Sequence, residues 1–139
     1  MAISKVGGGT QITHASKTLP DYVGGTTFKT VDAFKNTIGK NGTAILAPGD
    51  KMYLPFPAKG LLGARNPEIT GFNKSSPFTT QVVTKGGKQY LEVSVKSDAK
   101  IGTTDGVKLH SGALVAPSAD EKKAFPFTLQ VGIGHILMG

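Results

Sequence analysis

The stretch Gln81–Lys96, "QVVTKGGKQYLEVSVK", decides the fold class. It contains the pair Gly86-Gly87, and two adjacent glycines can both take the positive φ that a type I′ hairpin turn requires. After this pair, apolar residues alternate with polar or mixed ones in "LEVSV", which is the period of two of a strand with one buried face. The stretch therefore predicts a β-hairpin.

Two lysines, Lys85 and Lys88, bracket the glycine pair. They can solvate the tip of a hairpin and discourage the pairing of its edge with other strands. They can also bind an anionic partner, because exposed positive charge attracts one. The sequence leaves both interpretations open.

The rest of the chain extends the β character of this hairpin. The chain has 139 residues, a length typical of one domain, with 19 glycines and 8 prolines between short apolar runs. About eight to ten short strands at intervals of roughly 8–12 residues are typical of a β-sandwich or barrel. We therefore predict an all-β fold, a β-sandwich, in a jelly-roll-like version because the loops are long and uneven.

Local signals predict one short helix or turn and several loops. The segment Lys29–Ile38 carries apolar residues at helical spacing and is followed by Gly39, a candidate C-terminal cap. The stretch "APSADEKKAFP" of residues 116–126 predicts a loop, and Asp105-Gly106 predicts a turn. Further short strands are expected at these positions: Thr43–Ala47, Lys51–Phe56, near Leu61–Leu62, Glu68–Phe72, Val107–His110, Ala113–Val115, Phe125–Val131 and Ile133–Met138.

Residues 1–26 differ in composition from the remainder, residues 27–139, which we predict to be a single β domain. They are rich in Gly, Thr and Ser and contain "GGG" and "GG". We interpret them as an extended arm with one short strand, and plain disorder is the alternative. An arm that becomes ordered loses conformational entropy, and contacts with a neighbouring subunit would have to offset that loss.

The charge balance points to an acidic partner or to simple solubility. Sixteen basic and nine acidic residues give a net charge of +7, and residues 51–100 hold eight basic against three acidic residues, or +5. Arg65 is the only arginine, and the lysines are scattered, which argues against nucleic acid as the partner. No apolar run is long enough for a signal peptide or a membrane span, so we expect synthesis in the cytoplasm and no membrane partner.

No residue pattern in the chain predicts catalysis, a metal or a cofactor. The chain has no cysteine, and neither His14, His110 nor His135 has another ligand at metal-binding spacing. Ser111 follows His110, but the surrounding "LHSGA" is not a nucleophile elbow. The carboxylates in predicted strands, Glu68 and Glu92, show no partner for acid–base work. We therefore expect no catalytic, cofactor-binding or metal-binding residue and no enzymatic activity.

The Gly/Thr-rich arm, the cysteine-free β body, the size and the apolar C-terminal stretch "PFTLQVGIGHILMG" together resemble the small cement or decoration proteins of tailed-phage capsids. This resemblance implies a structural protein of the virion that binds the capsid exterior and braces neighbouring subunits. The major capsid protein would be its partner, and the protein would form a homo-oligomer, a dimer or a trimer. No specific motif carries the resemblance, so no residue role is transferred.

Three basic residues of the predicted arm and edge regions are candidate contacts with a partner: Lys5, Lys59 and Arg65. Ordinary solvated surface is the alternative for each of them. The alternative function is a self-assembling coat or pilin-like subunit that exchanges its arm or Ile133–Met138 as a donated strand. A nucleic-acid-binding coat ranks third and an enzyme last.

Overall fold

The computed structural model describes residues 21–58, 63–113 and 116–133. Within these ranges the chain is mostly strand, so the predicted all-β character is confirmed. The elements are β1 Asp21–Tyr22, α1 Val31–Ile38, β2 Thr43–Leu46, β3 Lys51–Pro55, β4 Ala64–Thr70, β5 Phe78–Lys85, β6 Lys88–Val95, β7 Thr104–Ala113, α2 Pro117–Lys123 and β8 Phe125–Val131.

The described strands form two open sheets. One has five strands in the order β1-β2-β8-β7-β4, and the other has three in the order β3-β6-β5. The pairs β1–β2 and β2–β8 are parallel, and the remaining pairs are antiparallel. The inner faces of both sheets contribute to one hydrophobic core, because alternate residues of each strand point to the same side.

The core is built from apolar side chains at alternate strand positions. Burial of each large apolar side chain contributes roughly 1.5–3 kcal/mol relative to exposure. The side chains below 2% exposure include Leu46, Met52, Leu54, Val93, Leu109, Leu129 and Val131 from the strands, and Phe34 and Ile38 from α1.

Helix α1 confirms the short helix predicted over Lys29–Ile38. The Thr30 hydroxyl accepts a hydrogen bond from the Ala33 N–H at 2.9 Å, which caps the first turn. Gly39, with φ of 79°, ends the helix, and its N–H donates to the Lys35 carbonyl. Phe34 meets the ring of Phe127 edge-on at 5.2 Å, which anchors the helix to the core.

The predicted hairpin is confirmed. Strands β5 and β6 pair antiparallel, and Lys85 and Lys88 are partners across the turn. Gly86 and Gly87 have φ of 60° and 81°, as a type I′ turn requires. The residues of the tip are exposed on both strands.

One predicted loop and one predicted turn were wrong in part, and two predicted strands form a single strand. The stretch of residues 116–126 contains helix α2, which begins at a proline in the first helical position and ends with two lysines in its last turn. A mixture of charge signs is equally typical of a short surface helix, so composition did not separate the two. Val107–His110 and Ala113 belong to one strand, β7, and this strand also contains the predicted turn Asp105-Gly106.

Several predicted elements lie wholly or mostly outside the described residues. They include the strand near Leu61–Leu62, the segment after Ile133, and the first twenty residues of the arm. Residues 21–26 of the predicted arm are described and lie against the body of the protein. Strand β1 pairs with β2 there, and Val23 is buried in the core.

Candidate interaction surface

The three-stranded sheet turns one face to the core and the other away from it. The strand register places Tyr53, Glu92 and Gln81 in one row on the outward side, and Lys85 opposite Lys88 at the tip. All residues of this side are exposed or half-buried except Glu92. We call it the basic face, and its members are Lys51, Tyr53, Pro55, Thr79, Gln81, Val83, Lys85, Lys88, Tyr90, Glu92 and Ser94.

Glu92, at the centre of the basic face, is only 5% exposed because its neighbours surround it. Its carboxylate accepts from the Gln81 amide at 2.8 Å and from the Ser94 hydroxyl at 3.3 Å. The Gln81 hydrogen bond, with smaller contributions from Tyr53 and Lys51, lowers the pKa of Glu92 against the opposing effect of burial. One of its oxygens also lies 3.9 Å from the Lys51 ammonium, so the charge of Glu92 is compensated within the sheet.

Lys85 and two tyrosines form an ordered cluster on the basic face. The Lys85 ammonium lies 3.7 Å from the centre of the Tyr53 ring and 6.0 Å from that of Tyr90. The two rings meet edge-on at 6.3 Å. A cation over an aromatic face at an exposed site contributes about 0.5–1 kcal/mol, so Lys85 is held over the sheet while its charge stays at the surface.

Other acidic side chains are also engaged inside the molecule. Asp50 accepts from the Tyr22 hydroxyl and from the Ala47 N–H, and burial together with Asp50 raises the pKa of Tyr22 to about 12. Asp105 is 2% exposed and accepts from the Asn73 N–H at 3.2 Å.

The exposed lysines of the described chain are Lys29, Lys40, Lys51, Lys74, Lys85, Lys88, Lys96, Lys100, Lys108, Lys122 and Lys123. The surface is therefore more positive than the net charge alone indicates.

Among the described residues, no strand pairs with the edge of β5 that faces away from β6. The Lys96 N–H donates to the Pro77 carbonyl, so odd-numbered residues from Pro77 to Lys85 direct their backbone groups toward β6. The N–H of Phe78 is satisfied by the Ser76 hydroxyl at 3.1 Å. Backbone groups of the next even residues, at positions 80, 82 and 84, point to the open side, where no strand of the described residues pairs with them.

The free edge of β4, the last strand of the five-stranded sheet, is interrupted instead. Pro67 removes one N–H from the strand, and the register shifts between Arg65 and Glu68. The Arg65 guanidinium also donates to the Glu68 carboxylate at 3.0 Å. Each of these features is a known obstacle to the pairing of an edge strand.

A polar network ties β4 to β7 and α2. The Arg65 guanidinium forms an ion pair with Asp120 of α2. The other Asp120 oxygen lies 2.8 Å from Nδ1 of His110, and Nε2 of His110 lies 2.8 Å from the Thr70 hydroxyl. His110 is 4% exposed, so these partners supply the hydrogen bonds that its burial requires.

The protonation states in this network follow from its charges. The hydrogen bond from Arg65, followed by that from His110, lowers the pKa of Asp120, so Asp120 is ionised and can only accept. Nδ1 of His110 therefore donates to Asp120, and Nε2 forms the second hydrogen bond of the ring with the Thr70 hydroxyl. This order of carboxylate, imidazole and hydroxyl is also that of a hydroxyl-nucleophile relay. Arg65 already compensates the Asp120 charge, however, and the hydrogen bonds join three elements, so we assign the network a structural role.

The structure places one of the three predicted contact residues. Lys5 and Lys59 lie outside the described residues. The Arg65 side chain is 22% exposed and engages both Glu68 and Asp120. Sequence spacing could not reveal this network, because Arg65 is far from His110 and Asp120 along the chain. The β4–β7 pairing and the packing of α2 against β7 bring the three together.

Within the described ranges, no group of three His, Asp or Glu side chains is arranged to hold a metal ion. In the same part of the chain, neither helix is long and apolar enough to cross a membrane. No protein-family model, curated protein or solved structure matches the chain.

Proposed function

We propose that the protein is a structural protein that binds the outside of a viral capsid and braces neighbouring capsid subunits, with the basic face as its contact surface. One observation carries this proposal: on the basic face the acidic charge is compensated within the sheet, whereas basic charges are exposed to a partner. Glu92 is bonded within the sheet and paired with Lys51, whereas Lys85 and Lys88 are exposed on the same face. Such a face is complementary to an acidic protein surface and steers association with it.

The composition of the basic face supports protein as the partner. Tyrosine is enriched in protein interfaces, and Tyr53 and Tyr90 lie here beside hydrogen-bonding side chains such as Gln81 and Ser94. Repetition of one modest contact over a symmetric shell multiplies its strength by avidity. The basic face therefore suits a protein that binds many identical subunits.

Three finer features belong to the same proposal. The chain adopts a jelly-roll-like β-sandwich, the part of the predicted arm before Asp21 adds contacts with the capsid, and the protein acts as a dimer or trimer on the virion exterior. The β body and the resemblance to decoration proteins support these features. The open β5 edge is the observation that favours the alternative, a self-assembling coat or pilin-like subunit.

The test uses empty shells assembled from a candidate major capsid protein, with binding measured by co-sedimentation. We expect the double variant Lys85→Gln/Lys88→Gln to bind about ten-fold more weakly, since each exposed ion pair contributes up to about 1 kcal/mol. The wild-type affinity should also fall as salt rises.

The matched control is Lys122→Gln/Lys123→Gln, which removes the same charge from α2. Equal losses in both double variants would mean that net charge alone drives binding, and unchanged binding in both would refute the basic face as the contact. Filaments or sheets formed by the chain without shells would favour the self-assembling alternative.

A further inference from the structure

We propose that β5 pairs antiparallel with β5 of a second copy of this chain, about a two-fold axis at Val82. The two three-stranded sheets then become one six-stranded sheet. This inference does not depend on the proposed function, because it rests on the free edge of β5 and not on the basic face.

The backbone of β5 is arranged for this pairing. Thr80, Val82 and Thr84 direct their N–H and C=O groups to the open side, as the β5–β6 ladder requires. With the two-fold axis at Val82, each Val82 lies opposite the other, and Thr80 lies opposite Thr84 of the second copy. These residues then exchange about six backbone hydrogen bonds, which satisfies the open edge of both copies.

The side chains of β5 favour a second copy in this register. Val82 is 54% exposed although it points to the core side of its sheet, and in the dimer it packs against its own copy. No charged side chain lies between Phe78 and Thr84. Lys85 lies opposite Thr79 of the second copy, so no two lysines face each other. An acidic peptide would find no complementary charge along this uncharged edge.

The two-fold pairing also determines where the basic faces lie. It joins residues that point to the same side of the sheet, so both basic faces become parts of one surface. The hairpin tips, each marked by Lys85 and Lys88, then point in opposite directions. Each tip lies four residues from the axis, so the two are separated by roughly 26 Å. A two-fold pair of this kind can contact two neighbouring subunits of a lattice at once.

The first experiment measures the mass of the full chain by sedimentation equilibrium over a range of concentrations. We expect twice the monomer mass of 14.4 kDa for the wild type. Val82→Lys places two lysines directly opposite each other and removes the apolar contact, so this variant should sediment as a monomer. The matched control is Ile101→Lys, because Ile101 is similarly exposed, at 55%, but lies away from β5. This variant should remain a dimer.

The second experiment uses the absence of cysteine from the chain. In the proposed register the Cα atoms of two Val82 residues are about 5.5 Å apart, a separation that a disulfide can span. Mild oxidation should therefore convert Val82→Cys largely to a covalent dimer, whereas Val83→Cys should react little.

A monomeric wild type, or a dimer that survives Val82→Lys, would overturn the pairing, and the latter would assign the dimer to another surface, including the first twenty residues. Preferential cross-linking of Val83→Cys would overturn the axis at Val82. Binding of empty shells by monomeric Val82→Lys separates the two proposals, because loss of the dimer with retained shell binding leaves the basic face intact.

Discussion

Strands β4 and β5 each lie at the end of a sheet, but the outer edge of β4 is interrupted whereas that of β5 is regular. β4 carries Pro67, a register shift and the Arg65–Glu68 ion pair, and its outward side is tied to α2 through Asp120. β5 runs for eight residues without proline or register shift and leaves Val82 exposed. Proteins interrupt the edges that must not pair, so an uninterrupted edge indicates a surface that is used.

The largest effect on stability is expected when the polar network beside the interrupted edge of β4 is broken. His110→Ala removes the link between Thr70 and Asp120, leaves buried polar groups without partners and opens a cavity. We expect the free energy of unfolding to fall by roughly 2–4 kcal/mol, measured by urea denaturation. The neighbouring substitution Ser111→Ala is the control and should change it by less than about 0.5 kcal/mol. Equal stability of the two variants would show that His110 does not stabilise the contact of β4, β7 and α2.

A smaller effect should distinguish the two sides of β5. Val83→Pro removes an N–H that faces β6, and we expect a loss of about 1–3 kcal/mol in the free energy of unfolding. Thr84→Pro removes an N–H that faces the open side, so its effect should stay near 0.5 kcal/mol. Both are measured by urea denaturation at a concentration where the chain is monomeric. A larger loss for Thr84→Pro would mean that the edge is not open as described.

The smallest effect near neutral pH is expected from the internal carboxylates. The pKa of Asp120 lies below its ordinary value of 3.8, chiefly through Arg65, and that of Glu92 lies below 4.5, chiefly through Gln81. A carboxylate whose pKa is lower in the folded state stabilises that state above its unfolded pKa, and this stability is lost as pH falls through the folded value. The melting temperature should therefore be insensitive to these groups above about pH 5 and fall below about pH 4.

Glu92→Gln and Asp120→Asn test the assignment of this acid sensitivity. Each variant removes one of the two titrating groups, so each should flatten the fall in melting temperature between about pH 5 and about pH 3. A profile that keeps its wild-type slope in both variants would place the acid sensitivity in other groups.

The sequence predicted those elements that are determined by neighbouring residues along the chain. The hairpin followed from the glycine pair, and α1 followed from Phe34 and Ile38 at helical spacing with Gly39 as its end. Helix α2 was missed because seven residues with mixed charges carry no apolar stripe. The Arg65–Asp120–His110 network and the basic face were missed because they depend on strand pairing, and one sequence does not specify which strands pair. The open β5 edge was missed for the same reason.

Strand β8 lies between β2 and β7 in the middle of the five-stranded sheet, and its parallel partner begins about 85 residues earlier, since Thr43 pairs with Thr128. Contacts between such distant segments slow folding, because a long loop must close before they form. At a synthesis rate of about 5–20 residues per second, roughly 4–17 s pass between the synthesis of β2 and that of β8. During that interval Ala44 and Leu46 lack their packing partners, whereas the β5–β6 hairpin can form as soon as it is synthesised. The yield of correctly folded protein in a cell should therefore depend on whether β2 pairs with another chain before β8 is synthesised.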